Sequence, residues 1–282
     1  FHLTLEAYLD AKLMLFREYP QMSSKQFTGI INADDHAFTK VRAACSGDML
    51  SFGIDETADI NATNIRVDTQ FVEFDLSYKG RTVRAKLGIG GYFNVYNSLA
   101  AAGVALSMGL TLEQVKIGLA NAGCVPGRFE SVDCGQNFGV IVDYAHTPDE
   151  LENVLNTASK LPHNKLIAVF GCGGDRDRGK RPIMGDIASD MADISVVTSD
   201  NPRTEDPMFI IKEILSGIEK SRMKSIVVEP DRREAIAKAI KMAQSGDIVV
   251  IAGKGHEDYQ IFADRTIHFD DRETAREILR EL

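Results

Sequence analysis

The sequence lacks several features that would assign it to a specialised class of protein. No apolar run approaches the roughly 20 residues that span a bilayer, and no secretory signal pattern opens the chain, so neither membrane insertion nor secretion is expected. The four cysteines show neither CxxC spacing nor paired histidines, which favours buried thiols in a reducing cytoplasm over a zinc site or disulfides. With 32 Lys and Arg against 41 Asp and Glu, the net charge of −9 argues against a nucleic-acid partner.

The composition that is present belongs to an ordinary globular protein. Apolar residues make up 44% and charged residues 26% of the chain. A length of 282 residues allows two hydrophobic cores, so two domains are expected. Because the chain does not begin with Met, an upstream part of the protein is also expected.

The first part of the chain shows only a few clear elements. Apolar residues at helical spacing predict a helix over residues 5–19, and small residues favour another over 95–108. Strand-like runs at 71–78 and 82–87 flank Lys79-Gly80, which predicts a hairpin. Thr111 with Gln114 forms a capping-box pattern for a following helix.

From Gly123 onward, short β-branched strands alternate with helices. The predicted strands are 139–143, 166–170, 194–198, 225–228 and 248–252, the first of them forming a hairpin-like pair with 129–134. The predicted helices are 148–160, 182–191, 208–220, 232–243 and 272–282, with Thr147 and Glu150 capping the first of them. This alternation predicts an α/β fold with a parallel sheet covered on both faces, joined to the first domain near residues 123–128.

Four charged loops follow the predicted strands at their carboxyl ends. They cover residues 143–148, 171–181, 200–207 and 253–258. A single charged loop is more often plain solvated surface than a site. Ligands of open α/β sheets bind outside the carboxyl ends of the strands, however, and four such loops at one edge favour a site for a zwitterion.

Two glycine motifs look like nucleotide-binding loops but depart from them. Residues 174–180 match GxxxxGK, yet Arg181 stands where a P-loop has the Ser or Thr that binds magnesium. Two GxG starts, at Gly88 and Gly171, lack the third glycine of a dinucleotide fingerprint. Neither a P-loop nor a nicotinamide site is therefore predicted from them.

Six segments of the sequence together form a recognisable set: residues 92–97 (YFNVYN), 126–130 (PGRFE), 142–148 (VDYAHTP), 171–182, 200–207 (DNPRTEDP) and 253–260 (GKGHEDYQ). With them the chain resembles the Mur ligase family, and within it the ligases that add meso-diaminopimelate. The resemblance implies that residues 1–125 are the C-terminal part of a P-loop-type central ATPase domain. Residues 126–282 would then be a Rossmann-like, doubly wound domain that binds the amino acid.

The activity implied by the resemblance is an ATP-dependent condensation in peptidoglycan precursor synthesis. ATP would phosphorylate the D-glutamyl carboxylate of UDP-N-acetylmuramoyl-L-alanyl-D-glutamate, and the amine of meso-diaminopimelate would attack the acyl phosphate, with Mg²⁺ neutralising charge. The family's N-terminal uridine-nucleotide domain and its P-loop are not found in this sequence. A monomer is expected, and the chain alone is predicted not to hydrolyse ATP, so diaminopimelate-dependent phosphate release would contradict this prediction.

The resemblance also assigns roles around the nucleotide. Asn97 would contact the adenine, although a helix N-terminal cap is an alternative role. Arg128 and Asp143 would meet the phosphates and ribose, the alternative being an interdomain salt bridge. Lys12 would become a carbamate that helps to hold Mg²⁺; an ordinary solvent-facing helix lysine is the alternative.

The implied contacts with diaminopimelate lie in three of the loops. They are Arg176, Asp200, Asn201, Pro202, Arg203, Gly253 and Glu257. Arg203 would bind the distal carboxylate, and Asp200 and Glu257 would bind the distal ammonium. Since lysine lacks that carboxylate, Arg203 would select against it. The alternatives are a sister ligase that adds L-lysine, a folate-polyglutamylating relative, and a non-catalytic amino-acid-binding fragment. The Asp-Asn-Pro-Arg segment could also be simply a turn that leads into a helix.

Overall fold

Two separate sheets organise the chain. The computed structural model describes residues 4–54 and 57–282, which divide into two units. The first unit runs to Val67 and includes Phe71–Gly88 and Tyr92–Ala122, and the second contains Gly123–Leu282 with two short upstream segments, Asp68–Gln70 and Ile89–Gly91.

The first unit is a mixed five-stranded sheet with helices. Its elements are α1 (Leu5–Arg17), α2 (Tyr19–Met22), β1 (Thr28–Asn32), α3 (Phe38–Ala44), β2 (Asp48–Gly53), β3 (Ile60–Val67), β4 (Val72–Tyr78), β5 (Arg81–Leu87), α4 (Phe93–Ser107) and α5 (Leu112–Ala120). The strands lie in sequence order. The β1–β2 and β2–β3 pairs are parallel, and the β3–β4 and β4–β5 pairs are antiparallel.

Helix α4 packs on the sheet of this unit because its residues are small where it meets β1. An added Cβ at Gly103 would lie 2.5 Å from Cγ2 of Ile30, so only glycine permits this approach. Buried and partly buried residues alternate along most of β4, as expected for a sheet with one face on the core. Phe74 and Leu76 of β4 are fully buried, as are Val95 and Leu99 of α4.

Local sequence signals in this unit predict the structure well. Lys79 and Gly80 both have positive φ, 49° and 71°, which matches a type I′ turn and confirms the hairpin. Both halves of the Thr111–Gln114 capping box are formed at the start of α5. The sequence pattern predicts no element between residues 20 and 70, where the structure has β1, α3, β2 and β3.

The second unit has a six-stranded sheet. Its elements are β6 (Glu130–Ser131), β7 (Gly139–Asp143), α6 (Pro148–Ser159), β8 (Leu166–Phe170), α7 (Lys180–Met191), β9 (Ile194–Val197), α8 (Pro207–Leu215), a 3₁₀ turn (Met223–Ser225), β10 (Ile226–Val228), α9 (Arg232–Met242), β11 (Ile248–Ala252), β12 (Tyr259–Ile261), β13 (Thr266–His268) and α10 (Asp271–Arg280). The order is β10-β9-β8-β11-β7-β6, parallel except at β6. Strands β12 and β13 form a small antiparallel pair.

Helices cover both faces of this sheet. Alternate residues of β7, β8 and β11 pack against α9 and α10 in one apolar cluster, and α6, α7 and α8 form a layer on the other face. All five residues of β8 and of β11 are buried, as in a parallel sheet covered on both sides. The predicted α/β class and doubly wound sheet are confirmed.

The chain leaves the neighbouring strands β8 and β11 in opposite directions. After β8 it enters α7 in one helix layer, and after β11 it passes through β12 and β13 to α10 in the other. Such divergence opens a crevice at the carboxyl ends of the two strands, where ligands of open α/β sheets bind.

The described residues contain no helix long and apolar enough to cross a membrane.

Candidate functional site

A cavity of about 870 Å³ lies at the carboxyl ends of the strands in the second unit. All four charged loops contribute to its lining, from Tyr144, through Gly173 and Asp200, to Gly253. Six of the seven predicted amino-acid contacts line it: Arg176, Asp200, Asn201, Arg203, Gly253 and Glu257. The seventh, Pro202, is buried and does not line the cavity.

Asp200 places a negative charge in the cavity lining. The residue is 7% exposed, and its Oδ1 is buried without a hydrogen-bond partner among the described residues. The Nζ of Lys254 lies 3.5 Å from this oxygen, which is an ion-pair distance but a weak hydrogen bond. A buried carboxylate oxygen with unused accepting capacity is suited to an ammonium group of a ligand.

Asn201 connects the loop after β9 to the loop after β11. Its Nδ2 donates to Oε2 of Glu257 at 2.9 Å. Its Oδ1 accepts from Nζ of Lys254 and from the backbone N–H of Ile261, each at 3.0 Å. Both ends of the amide are therefore engaged by the protein, and Asn201 orients Glu257.

Arg203 is held by its backbone while its guanidinium stays without a carboxylate partner. Its φ of 51° lies in the left-handed region, and its N–H donates to the Ile261 carbonyl at 3.0 Å. Its Nη1 donates to the carbonyls of Gly174 at 2.9 Å and Asn201 at 3.4 Å. Neither Arg203 nor the exposed Arg176 forms an ion pair with any described residue, so both guanidinium groups can bind an external carboxylate.

The loop after β8 is anchored on the loop after β9. The N–H of Gly174 donates to the Asn201 carbonyl at 2.8 Å, and Asp175 accepts from the Thr204 hydroxyl at 2.7 Å. A Cβ at Gly174 would lie 1.9 Å from the Pro202 carbonyl oxygen, so the two loops approach as closely as glycine allows. Pro202 thus contributes through its backbone.

A fully buried arginine, Arg181, whose structural role the sequence pattern does not predict, holds the same loop. Arg181 donates from Nη1 and Nη2 to the two carboxylate oxygens of Glu205, both at 2.8 Å, and from Nη1 to Glu213 at 2.6 Å. It also donates to the Gly173 carbonyl at 3.1 Å. Hydrogen bonding from Arg181 lowers the pKa of Glu205 from 4.5 to about 2. In the sequence, Arg181 is distinguished only by its position, where a P-loop has Ser or Thr.

Lys180 also has a structural contact in place of a phosphate-binding role. Its Nζ donates to the His146 carbonyl at 2.7 Å, which links the loop after β8 to the loop after β7. With Arg181 engaged by Glu205 and Glu213, this geometry supports the prediction that residues 174–180 only imitate a P-loop.

Two further buried cations lie behind the cavity and were also missed. Lys254 is fully buried; burial lowers its pKa, while Asp200 acts to raise it. Arg232, also fully buried, forms a bidentate ion pair with Asp271. It also donates to the Ser199 and Ala252 carbonyls at 3.2 and 3.0 Å. These carbonyls immediately precede Asp200 and Gly253, so Arg232 fixes the starting points of two cavity loops.

The residues predicted to meet the nucleotide have defined surroundings in the second unit. Asp143 accepts from the N–H groups of Phe129 and Ala145 at 2.7 and 2.8 Å, and burial raises its pKa. The Arg128 guanidinium stacks over the Tyr144 ring at 5.1 Å. Among the described residues, Arg128 and Asp143 form no ion pair with each other.

Asn97 and Lys12 belong to the first unit. Helix α4 begins at Phe93 after Tyr92, so Asn97 lies inside the helix and the alternative role as its N-terminal cap is wrong. The Nδ2 of Asn97 donates to Oδ1 of Asn94 at 3.0 Å. Lys12 is exposed on α1, with its Nζ 5.3 Å from the centre of the Tyr8 ring.

The described residues contain no group of three or more His, Cys, Asp or Glu side chains placed to hold a metal ion. Mg²⁺ in phosphate-handling enzymes commonly uses one or two protein ligands together with substrate phosphates and water. A metal held mainly by a nucleotide does not need such a group of side chains.

The fold and the cavity define an α/β protein whose charged crevice suits a small zwitterion, and comparisons with known proteins identify its family. The Mur ligase middle domain matches residues 1–105, and the Mur ligase glutamate ligase domain matches residues 127–255. The chain belongs to the Mur ligase family.

Two curated relatives of high sequence identity carry the same enzyme name. UDP-N-acetylmuramoyl-L-alanyl-D-glutamate–2,6-diaminopimelate ligases from Clostridium botulinum and Syntrophomonas wolfei are 47% and 48% identical to this chain. The alignments cover 100% and 99% of this chain but 57% of each relative. The chain thus spans little more than half the length of these enzymes.

Solved structures agree with this assignment. A UDP-N-acetylmuramoyl-L-alanyl-D-glutamate–2,6-diaminopimelate ligase is 37% identical with a TM-score of 0.73, over 100% of this chain and 57% of that one. The MurF ligase from Thermotoga maritima in complex with ADP is 18% identical with a TM-score of 0.64, over 99% and 58% of the two chains, and shows the shared fold.

Proposed function

We propose that this chain supplies the C-terminal part of the ATP-binding domain and the amino-acid-binding domain of a ligase that adds meso-diaminopimelate to UDP-N-acetylmuramoyl-L-alanyl-D-glutamate during peptidoglycan precursor synthesis. The observation that carries the proposal is that one cavity has both a carboxylate oxygen that accepts no hydrogen bond and a guanidinium that has no carboxylate partner. Asp200 has a buried oxygen without a hydrogen-bond donor, and Arg203 has a guanidinium without a carboxylate. The names of the curated relatives, which are 2,6-diaminopimelate ligases, support the same substrate.

The cavity charges match a ligand with two amino-acid ends. The guanidinium groups of Arg203 and Arg176 would hold the distal carboxylate, Arg203 with its remaining N–H groups. Asp200 and Glu257 would hold the distal ammonium. The amine at the other end would then be left to react. In this proposal Gly253, with a φ of 126°, lets the backbone approach the ligand closely.

The reaction we propose forms an amide bond. ATP supplies the phosphoryl group that activates the D-glutamyl carboxylate as an acyl phosphate. The amine of diaminopimelate forms a C–N bond to that carbonyl carbon, the C–O bond to phosphate breaks, and the amine gives up its proton. The residues of this chain act by holding the amine in position, because well-oriented reactants gain effective molarities on the order of 10⁵ M or more.

The nucleotide and metal roles remain part of this proposal. In the first unit Asn97 would contact the adenine, and in the second Arg128 and Asp143 would meet the phosphates and ribose. Lys12, as a carbamate, would contribute one ligand to Mg²⁺, which supplies charge neutralisation. We also propose a monomer that works in the cytoplasm, where ATP is available.

The alternative functions each lack one supporting observation. A lysine-adding sister ligase would leave Arg203 without a carboxylate to bind. A folate-polyglutamylating enzyme is represented by a structure from Mycobacterium tuberculosis that is 19% identical, which shows the fold alone. A non-catalytic amino-acid-binding fragment would keep the cavity but would not need the nucleotide contacts.

The direct test is ligation by the enzyme that contains this chain, supplied with ATP, the muramoyl dipeptide nucleotide and meso-diaminopimelate. We expect amide product, and for D200N a KM for diaminopimelate at least about tenfold higher, because the ammonium loses a charged partner. The matched control is D190N, which removes an exposed carboxylate on α7 and should leave this KM unchanged. Absence of diaminopimelate-dependent product, or an unchanged KM in D200N, would contradict the proposal.

A further inference from the structure

Lys254 lies directly behind the part of the cavity that carries the acidic residues. Its side chain is fully buried, and it is not itself part of the cavity lining. Its Nζ approaches Asp200, Asn201 and Glu257, which come from two different loops, and all three of these residues line the cavity.

The three protons of the ammonium account for these contacts. Two are donated at good distances, to the Tyr259 carbonyl at 2.6 Å and to Oδ1 of Asn201 at 3.0 Å. The third faces Oδ1 of Asp200 and Oε2 of Glu257, each 3.5 Å away. The positive charge of Lys254 thus lies near two carboxylates, but its ammonium forms a short hydrogen bond with neither of them.

The contact with Asn201 determines which way its amide points. Oδ1 of Asn201 accepts from both Lys254 and the Ile261 N–H, which uses both of its lone pairs. A flipped amide would place its NH₂ group against these two donors. Nδ2 is therefore directed at Glu257, whose Oε2 it reaches at 2.9 Å.

We infer that Lys254 is a positioning residue that fixes the Asn201 amide and the carboxylates of Asp200 and Glu257 for binding the incoming amino acid. This inference rests on the proposed function, since it concerns the same site. Lys254 acts from behind the cavity, so its removal should weaken amino-acid binding without touching the nucleotide contacts.

The test measures steady-state ligation by the enzyme containing this chain, with K254M compared with wild type. K254M should raise the KM for meso-diaminopimelate at least about tenfold, while the KM for ATP stays within about twofold. The matched control is V249A, which removes buried volume from the apolar cluster that β11 shares with α9 and α10 and should lower the melting temperature but leave both KM values unchanged. A KM for diaminopimelate within about twofold of wild type, or equal rises in both KM values, would overturn the inference.

A double-mutant cycle distinguishes positioning through Asn201 from an independent effect. If Lys254 acts through Asn201, K254M combined with N201A should bind diaminopimelate no more weakly than the weaker single variant. Fully additive losses would overturn the inference. If K254M does not fold, K254R keeps the charge but not the ammonium geometry, and should still raise the KM for diaminopimelate about threefold; an unchanged KM would count against positioning.

The two proposals fail in different ways. A wild-type enzyme that forms no diaminopimelate product would refute the proposed function. A wild-type enzyme that forms product, with K254M unchanged in its KM for diaminopimelate, would refute only the role of Lys254.

Discussion

At the scale of single residues, the contact between Arg181 and Glu205 holds the loop after β8 in place and lowers the pKa of Glu205. Hydrogen bonding from Arg181 is the largest cause of its lowered pKa, which is about 2 against an ordinary value of 4.5. Because the folded pKa lies below the unfolded one, the stability from this pair is complete above about pH 4.5 and is lost as the pH falls toward 2.

The corresponding variant is E205Q. Its free energy of unfolding should fall less steeply than that of wild type as the pH drops from about 5 to about 3.5. Urea unfolding at a series of pH values measures this slope, and E152Q, which removes an exposed carboxylate on α6, controls for the change in net charge. Parallel pH profiles for wild type and E205Q would contradict the assignment.

Residue-level prediction from sequence succeeded for the cavity lining and failed for the buried cations behind it. Asp200, Arg203 and Glu257 follow strands whose carboxyl ends must converge, so topology alone predicts their proximity. Arg181 and Lys254 look in the sequence like ordinary charged loop residues, because charged side chains are rarely buried unless they are paired. Their partners Glu205 and Asn201 lie 24 and 53 residues away, and no local pattern connects them.

At the scale of elements, the Arg232–Asp271 pair joins α9, α10 and the ends of β9 and β11. Both side chains are fully buried. Burial acts to lower the pKa of Arg232, but the attraction of Asp271 outweighs it and raises that pKa. Removing one member of such a pair leaves a buried charge without a partner.

We therefore expect R232M to lower the free energy of unfolding by about 3–5 kcal/mol. The neighbouring R233M is the matched control, because Arg233 pairs with Glu277 at the surface and its loss should cost less than about 1 kcal/mol. Urea unfolding measures the free energy of unfolding of both variants. Equal decreases for R232M and R233M would contradict the expectation that the buried pair contributes more than the surface pair. The double variant R232M/D271L should recover part of the loss, since it leaves no unpaired charge.

Elements with local signals were predictable, and elements defined by distant pairing were not. The hairpin of β4 and β5 and the capping boxes of α5 and α6 depend on residues within a few positions of one another. The strand β3 was missed although its first four residues alternate between buried and partly buried positions. Strands β12 and β13 are three residues each, too short for a periodic pattern.

At the scale of the whole molecule, the sequence predicted two domains and a parallel, doubly wound sheet but not the order of its strands. Strand β11 lies between β7 and β8, although more than 75 residues separate it from β8 in the chain. That insertion creates the crevice between the loops that follow β8 and β11. The predicted domain boundary near residue 125 stays a prediction, while the compact units of the structure change over at Gly123.

The central claim is that Arg203 selects an amino acid with a distal carboxylate. The decisive measurement is kcat/KM for ligation of meso-diaminopimelate and of L-lysine by the enzyme containing this chain, with Arg203 intact and as R203A. Leaving a guanidinium without its partner costs on the order of 2–5 kcal/mol when it is buried, so the wild-type enzyme should prefer diaminopimelate by about 100-fold. R203A should lose most of this preference because its kcat/KM for diaminopimelate falls, while its kcat/KM for lysine changes little. Equal use of the two amino acids by the wild-type enzyme, or an undiminished preference in R203A, would contradict the account.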